Sequence, residues 1–242
     1  MIIGGLEKLT LLDYPEHLAA IIFTSGCNFR CHFCYNPMLV LSHEGRDEKN
    51  TNQEKGFSPI LESDLFLFLG SRVGRLEGVV ITGGEPTLHP DLPVFIKKIK
   101  DLGYLVKLDT NGTNPAMLAQ LIKNKLIDYI AMDLKAPLAK YEQVVGVKVN
   151  YKNIQESVKI IMSSGLPYEF RTTVVPGLLV KEDFTAMGKI IKGATKWYLQ
   201  KFKSDTDLVD ADYQAKNSYT DAEMAEFAAY GREHVNLCEI RG

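Results

Sequence analysis

Little in this chain marks a membrane, a nucleic-acid surface or a disulfide scaffold. No apolar run reaches about 18 residues, which excludes an ordinary transmembrane helix. Neither charge sign dominates: 28 Lys and Arg stand against 30 Asp and Glu, a formal charge of -2. No basic face for nucleic acid or anionic lipid is therefore expected. The start, Met1-Ile2-Ile3-Gly4-Gly5-Leu6-Glu7, lacks the basic and apolar regions of a signal peptide, so a cytoplasmic location is expected. Tryptophan occurs once, at Trp197, and with Tyr198 it lies in a strand-like stretch that reads as core. The histidines (His17, His32, His43, His89 and His234) show no metal-ligand spacing among themselves and read mostly as surface residues. Cysteine occurs only four times in 242 residues. In a reducing compartment clustered cysteines are metal ligands or redox groups more often than disulfides.

Three of those four are crowded into Cys27-Asn28-Phe29-Arg30-Cys31-His32-Phe33-Cys34. The loop follows the apolar run at 19–23, at the carboxyl end of an expected buried strand. Further strand-like stretches lie at 78–82, 104–108, 129–132, 168–174 and 196–202, with 238–240 as a candidate terminal strand. Between them, helices are expected at 91–102, near 115–125, in 139–145 and 153–164, and near 182–192. Ser58-Pro59 reads as an N-cap followed by proline at the first helical position, with a helix over 60–71. Thr220 reads as the cap of a last helix over 221–234. Residues 6–18 are mixed and suggest a turn around Pro15. Residues 42–56 are polar without apolar periodicity and read as a long surface loop.

Strands alternating with helices argue for an α/β fold with a parallel sheet and right-handed crossovers. A closed eight-stranded barrel takes about 250 residues. Here the polar loop and two long segments use up chain. The expectation is an incomplete, laterally open (β/α)6-type partial TIM barrel, with a doubly wound sheet as the competitor. The expected plan is a single domain over 1–242, with a core of about 15–205 and a C-terminal helical extension at 206–242. The polar clusters Cys27–Cys34, Gly83-Gly84-Glu85, Asp109-Thr110-Asn111-Gly112, Asp133-Leu134-Lys135 and Pro176-Gly177 all follow strands. Parallel α/β folds place their sites at such carboxyl ends, so these clusters converge on one rim.

Three thiolates on one short loop can hold an iron–sulfur cluster or zinc. Structural zinc wants four protein ligands, whereas Cys238 is remote in sequence, and its apolar neighbours Leu237 and Ile240 suggest a core position. A three-cysteine site leaves one coordination place open. Gly83-Gly84-Glu85-Pro86 lets a ligand approach the backbone, but alone it reads first as a tight βα turn. Asp109-Thr110-Asn111-Gly112 carries the same two readings, since Asn-Gly is common turn chemistry. Asp133 and Lys135 share a face of an extended chain, either as a solvated ion pair or as ligand contacts, and their place on the cysteine rim favours the second.

The pattern Cys27-x-x-x-Cys31-x-Phe33-Cys34, followed after the next strand by Gly83-Gly84-Glu85-Pro86, resembles the radical S-adenosylmethionine superfamily over roughly residues 10–205. Within it, Leu12-Asp13-Tyr14-Pro15, Phe23-Thr24-Ser25-Gly26 and Cys34-Tyr35-Asn36-Pro37 are similar to the activases of anaerobic ribonucleoside-triphosphate reductase. Asp109-Thr110-Asn111-Gly112 and Asp133-Leu134-Lys135 resemble the glycyl-radical-enzyme activases more widely. The resemblance implies a [4Fe-4S] cluster on Cys27, Cys31 and Cys34, with S-adenosylmethionine on the fourth iron. Reductive cleavage would give a 5′-deoxyadenosyl radical that takes a hydrogen from a glycine of the partner reductase. It also implies cofactor contacts from Phe33, Tyr35, Gly83, Gly84, Glu85, Asn111, Asp133 and Lys135. A monovalent cation near the Asp109 and Asp133 loops is a weaker carry-over.

The implied partners are the anaerobic reductase and an electron donor such as flavodoxin or ferredoxin. Two departures stand out. Many activases carry a histidine on the late strand, where this chain has Tyr198-Leu199-Gln200-Lys201-Phe202, so Gln200 is the candidate substitute. There is also no extra cysteine-rich insertion, so no second cluster is expected. The competing readings are a small-molecule radical enzyme such as a 7-carboxy-7-deazaguanine synthase, and a zinc-stabilised binding module without catalysis. Under the activase reading, deleting 42–56 should weaken partner activation more than uncoupled cleavage of S-adenosylmethionine.

Overall fold

The computed structural model describes residues 1–40 and 58–241. The polar stretch 42–56 and His43 lie outside the described residues. The elements, in chain order, are β1 (Ile3–Thr10), β2 (Ala19–Thr24), α1 (Pro37–Val40), α2 (Glu62–Arg72), β3 (Gly78–Gly83), α3 (Leu92–Asp101), β4 (Leu105–Thr110) and α4 (Pro115–Lys123). They continue with β5 (Tyr129–Asp133), α5 (Tyr141–Val145), α6 (Tyr151–Ser163), β6 (Tyr168–Val174), α7 (Lys181–Ile190), β7 (Lys196–Lys201), α8 (Asp221–Arg232) and β8 (Leu237–Arg241). The strands follow one another in one eight-stranded sheet, from β1 to β8, so the sheet is open. The mixed α/β class is the expected one. No helix among the described residues is long and apolar enough to cross a membrane.

Two local outcomes differ from the reading of the sequence. β1 occupies part of the stretch read as a turn and pairs antiparallel with β2. Glu7, Lys8 and Leu9 are exposed and the three residues before them half-buried, and Glu7 and Lys8 hide the apolar alternation, so the strand depends on backbone pairing more than on burial. The helix expected at 60–71 starts later. The Ile60 amide donates to the Ile3 carbonyl (2.9 Å), and α2 begins at Glu62 behind Leu61, without a side-chain cap. Bridging to β1 thus displaces the expected Ser58 cap. The candidate terminal strand at 238–240 is present as β8, which follows α8 within the stretch read as a C-terminal extension and pairs parallel with β7. Thr220 does cap α8, in a reciprocal capping box with Glu223.

The described residues fall into two compact units. The first comprises Met1–Asn28, Asn36–Thr110 and Ala116–Ile130. Its strands β2, β3 and β4 are parallel, in the register Ala19, Gly78, Leu105. β2 is apolar and buried on both faces, as its unbroken apolar run implies. Tyr14, Ala19, Ile21, Val80 and Tyr129 form a buried cluster, with Phe23 and Leu105 packed against it. A Cβ at Gly78 would come within 2.7 Å of the Tyr14 ring, so glycine there makes room for the tyrosine. Burial raises the Tyr14 hydroxyl well above the ordinary tyrosine pKa.

The second unit comprises Phe29–Tyr35, Asn111–Pro115 and Ala131–Gly242. β6, β7 and β8 are parallel, with Phe170, Trp197 and Cys238 in register. Trp197 is fully buried, and its indole N–H donates to Thr172 Oγ1 (2.9 Å). Phe184 of α7 stacks on Phe227 of α8 at 4.9 Å. Cys238 is buried against Trp197 and Gly231, where a Cβ would lie 2.5 Å from its sulfur. Burial pushes the Cys238 thiol up to about 12. Cys238, Trp197 and Tyr198 are therefore core residues, as expected.

Candidate cofactor site

In the first unit the parallel register sets Thr24 beside Gly83, so β2 and β3 end together. The chain beyond Thr24 leads to Cys27, and the chain beyond Gly83 to Glu85. The two turns are joined through backbone. The Gly84 amide donates to the Thr24 carbonyl and the Glu85 amide to the Gly26 carbonyl, both at 2.8 Å. A Cβ on Gly84 would lie 2.0 Å from the Gly26 oxygen, and one on Gly83 2.3 Å from the Thr24 nitrogen. Gly83 also has φ 114°, which favours glycine. The glycine pair therefore seats the cysteine-bearing turn against β3. Because a trans peptide directs its carbonyl opposite the following amide, the Gly83 and Gly84 carbonyls face away from that turn.

Glu85 is buried, and its Oε1 accepts from the Thr87 amide and hydroxyl and from the Thr110 hydroxyl (2.8 Å). Its side chain thus braces the ends of β3 and β4. On β4, Lys107 Nζ donates to Asp109 Oδ1 at 2.5 Å.

In the second unit, Phe29–Tyr35 carries Cys31, Phe33 and Cys34. Cys31 and Phe33 are buried, and Cys34 is half-buried. Lys135 Nζ lies 5.8 Å from the centre of the Phe33 ring. It also donates to Asp133 Oδ2 (2.9 Å), while Arg171 Nε donates to Asp133 Oδ1 (2.9 Å). Burial opposes the Asp133 charge, but Arg171 and Lys135 outweigh it and hold the carboxyl well below the usual range. For Lys135, burial is outweighed by Asp133 and by the sulfurs of Cys31 and Cys34, which raise the ammonium above its ordinary pKa. A fixed cation thus lies in the electrostatic reach of two of the three loop cysteines.

Arg171 was not among the residues singled out from the sequence. An arginine within an otherwise buried strand was its only signal. Glu169, two residues earlier on the same face of β6, is buried and accepts a bidentate pair from Arg241 of β8 (3.0 and 3.2 Å). Gln200 lies in register between Thr173 and Arg241.

Other expected site residues have clear local partners. The Tyr35 hydroxyl accepts from the Lys203 amide (2.9 Å), and its ring stacks on Phe202. Asn111 Oδ1 accepts from the Thr113 amide (3.0 Å) and hydroxyl (2.7 Å). Ser157 of α6 donates to the Gly112 carbonyl (2.8 Å), so this turn is also fastened from the helix side. His32 is half-buried. Its Nδ1 lies 3.1 Å from Asp210 Oδ2, its carbonyl accepts from the Asp210 amide (3.0 Å), and its ring stacks on Tyr213. His17, His89 and His234 are half-buried too, so the described histidines are less exposed than expected.

None of the four cysteines is in a disulfide. Among the described residues, no group of three His, Cys, Asp or Glu side chains is placed to hold a single metal ion. A cubane makes a different demand, because each thiolate binds its own iron. Three cysteines outside disulfides on one loop, two of them near a lysine, fit such a cluster better than a four-ligand zinc site.

The family model described as the Radical SAM superfamily matches residues 21–186. A candidate glycyl-radical enzyme activating enzyme of Methanocaldococcus jannaschii is 32% identical over 245 residues, covering 99% of this chain and 95% of that protein. The pyruvate formate-lyase-activating enzyme of Streptococcus mutans is 24% identical over 198 residues, covering 79% of this chain and 72% of its own. Among solved structures, Streptococcus suis SuiB bound to S-adenosylmethionine superposes with a TM-score of 0.64 at 17% identity, covering 92% of this chain and 50% of that one. That likeness is one of fold, and this chain spans about half of that protein's length. A family match over most of the chain and a relative similar along nearly its whole length lead to one conclusion: the chain belongs to the Radical SAM superfamily.

Proposed function

We propose that this protein is a glycyl-radical-enzyme activase, and that its partner is an anaerobic ribonucleoside-triphosphate reductase. Near end-to-end similarity to the M. jannaschii protein is the observation that carries the activase reading. The choice of reductase rests on the residues quoted from Leu12–Pro15 and Cys34–Pro37.

In this reading Cys27, Cys31 and Cys34 hold a [4Fe-4S] cluster. When bound, the cluster and S-adenosylmethionine supply the hydrogen-abstraction chemistry that the chain itself lacks. The chain's part is to position them. Gly83 and Gly84 offer carbonyl acceptors suited to an ammonium group, while their neighbouring amides are spent on the Thr24 and Gly26 carbonyls. Phe33 is buried, and by the family resemblance it and the backbone beside it would meet the adenine. Lys135, fixed by Asp133, presents a cation to a carboxylate or ribose, and Arg171 keeps Asp133 in place. Tyr35 and Asn111 support the turns on which these contacts sit, and Glu85 braces the glycine turn. A flavodoxin or ferredoxin is the proposed electron donor. A monovalent cation at either Asp109 or Asp133 would meet a carboxylate that already holds a counter-ion from the chain.

The test is to mix reduced, cluster-loaded protein with S-adenosylmethionine and the anaerobic reductase and to record the electron paramagnetic resonance spectrum. A glycyl radical signal is expected. Formation of 5′-deoxyadenosine without such a signal on any candidate glycyl radical enzyme would reject the activase reading and favour a small-molecule substrate. Anaerobic purification of a colourless protein with stoichiometric zinc would reject radical chemistry altogether.

A further inference from the structure

We propose that Lys107 is a resident cation that takes the place of the soluble monovalent ion which the family resemblance would set at the Asp109 loop, while Asp133 is held by cations of its own. The inference rests on the reading of this chain as a binder of S-adenosylmethionine. Its basis is that neither carboxylate is left for a cation to neutralise. In the first unit the Lys107 side chain is only 1% exposed and donates to Asp109 Oδ1. Two residues apart on β4, the pair shares one face of the strand. Lys107 lies in register with Val80, which lies in register with Ile21, and its Nζ is 5.9 Å from the centre of the Tyr129 ring. An ammonium over this apolar cluster is costly to bury, and a methionine of similar length would fill the space without that cost. Packing alone therefore gives no reason for a lysine here, whereas a need for positive charge at Asp109 does.

In the second unit both oxygens of Asp133 are engaged, Oδ2 by Lys135 and Oδ1 by Arg171. A soluble cation binding either carboxylate would have to displace a tethered one from a largely buried pair. The residues do not fit an exchangeable ion. Lys107 acts as a positioning residue, holding the Asp109 carboxylate where the end of β4 needs it.

The experiment compares cluster-loaded protein in buffers whose only monovalent cation is potassium, sodium or tetramethylammonium. Affinity for S-adenosylmethionine is measured by titration. The change it causes in the resonance spectrum of the reduced cluster gives a second readout. For the native chain, affinity and spectrum are expected to agree within about twofold across all buffers. A loss of about tenfold or more in tetramethylammonium would overturn the proposal. Lys107→Met should lose about tenfold in tetramethylammonium and recover in potassium; behaviour like the native chain in every buffer would also overturn it. Where Lys107→Met does not fold, the double change Lys107→Met with Asp109→Asn removes both charges of the pair and should be insensitive to the cation. A cation-dependent double variant counts against the proposal. Failure to bind S-adenosylmethionine in any buffer would overturn the parent reading and this one together, and is distinguished from cation dependence by the potassium arm.

Discussion

Gly83 and Gly84 show at single-residue scale why a ligand-like motif can first be a packing motif. Each lies where a Cβ would run into backbone of the β2 turn. Gly83→Ala or Gly84→Ala should therefore cost about 2–4 kcal/mol of stability, read from urea unfolding of the cluster-free protein. Cys238 gives a second residue-scale expectation. Its thiol is raised to about 12 by burial, so the native state holds that proton more tightly than the unfolded chain. Its contribution to stability is complete below about pH 8.5 and is lost as pH rises toward the folded value. Iodoacetamide at pH 8 should label the loop cysteines of the cluster-free protein and leave Cys238 unmodified until denaturant is added. Early labelling of Cys238 would contradict its placement.

At the scale of elements, the segment after β7 is more than a connection. Phe202, Lys203, Asp210 and Tyr213 contact Tyr35 or His32 on the cysteine loop. Within the segment, Lys216 lies over Tyr213, with its Nζ 3.6 Å from the ring centre. Asp210→Ala combined with Tyr213→Ala should cost about 1–2 kcal/mol and open residues 203–218 to limited proteolysis. An unchanged cleavage pattern would show that the segment is held by something else. The Asp133 grouping bridges β5 and β6, and its pH dependence has a definite sign. Asp133 is depressed, so its contribution is present above about pH 3.9 and is lost as pH falls below that. Lys135 is raised, so its contribution persists below about pH 10.4 and fades only above it. The melting-temperature difference between the native chain and Asp133→Asn should be flat from pH 5 to 9 and shrink in stronger acid.

On the scale of the whole molecule, the two cores are centred on aromatic side chains rather than on the sulfurs of Cys27, Cys31 and Cys34. One centres on Tyr14 and Tyr129, the other on Trp197, Phe184 and Phe227. Stripping iron with a chelator should therefore leave the far-ultraviolet circular dichroism nearly unchanged; collapse of the spectrum would mean that the cluster is structural. The same division explains what could be read from sequence. β2 and β3 announced themselves because strands buried on both faces are continuous apolar runs. β1 did not, because backbone pairing rather than apolar content holds it. Thr220 was legible as a cap because its partner Glu223 is local, whereas the late start of α2 depended on Ile3, 57 residues before Ile60 in the chain. Cys27, Cys31 and Cys34 stood out by spacing. Arg171 did not, since only tertiary structure sets it beside Asp133.

The backbone seam between the glycine turn and the β2 turn has a consequence for dynamics. The Gly84 and Glu85 amides sit in a turn, yet each is spent on a carbonyl of a neighbouring segment. In hydrogen–deuterium exchange they should behave like sheet amides, opening only with the unit around them. If so, the carbonyl face they leave exposed is shaped before any cofactor arrives, and binding has little ordering left to do there.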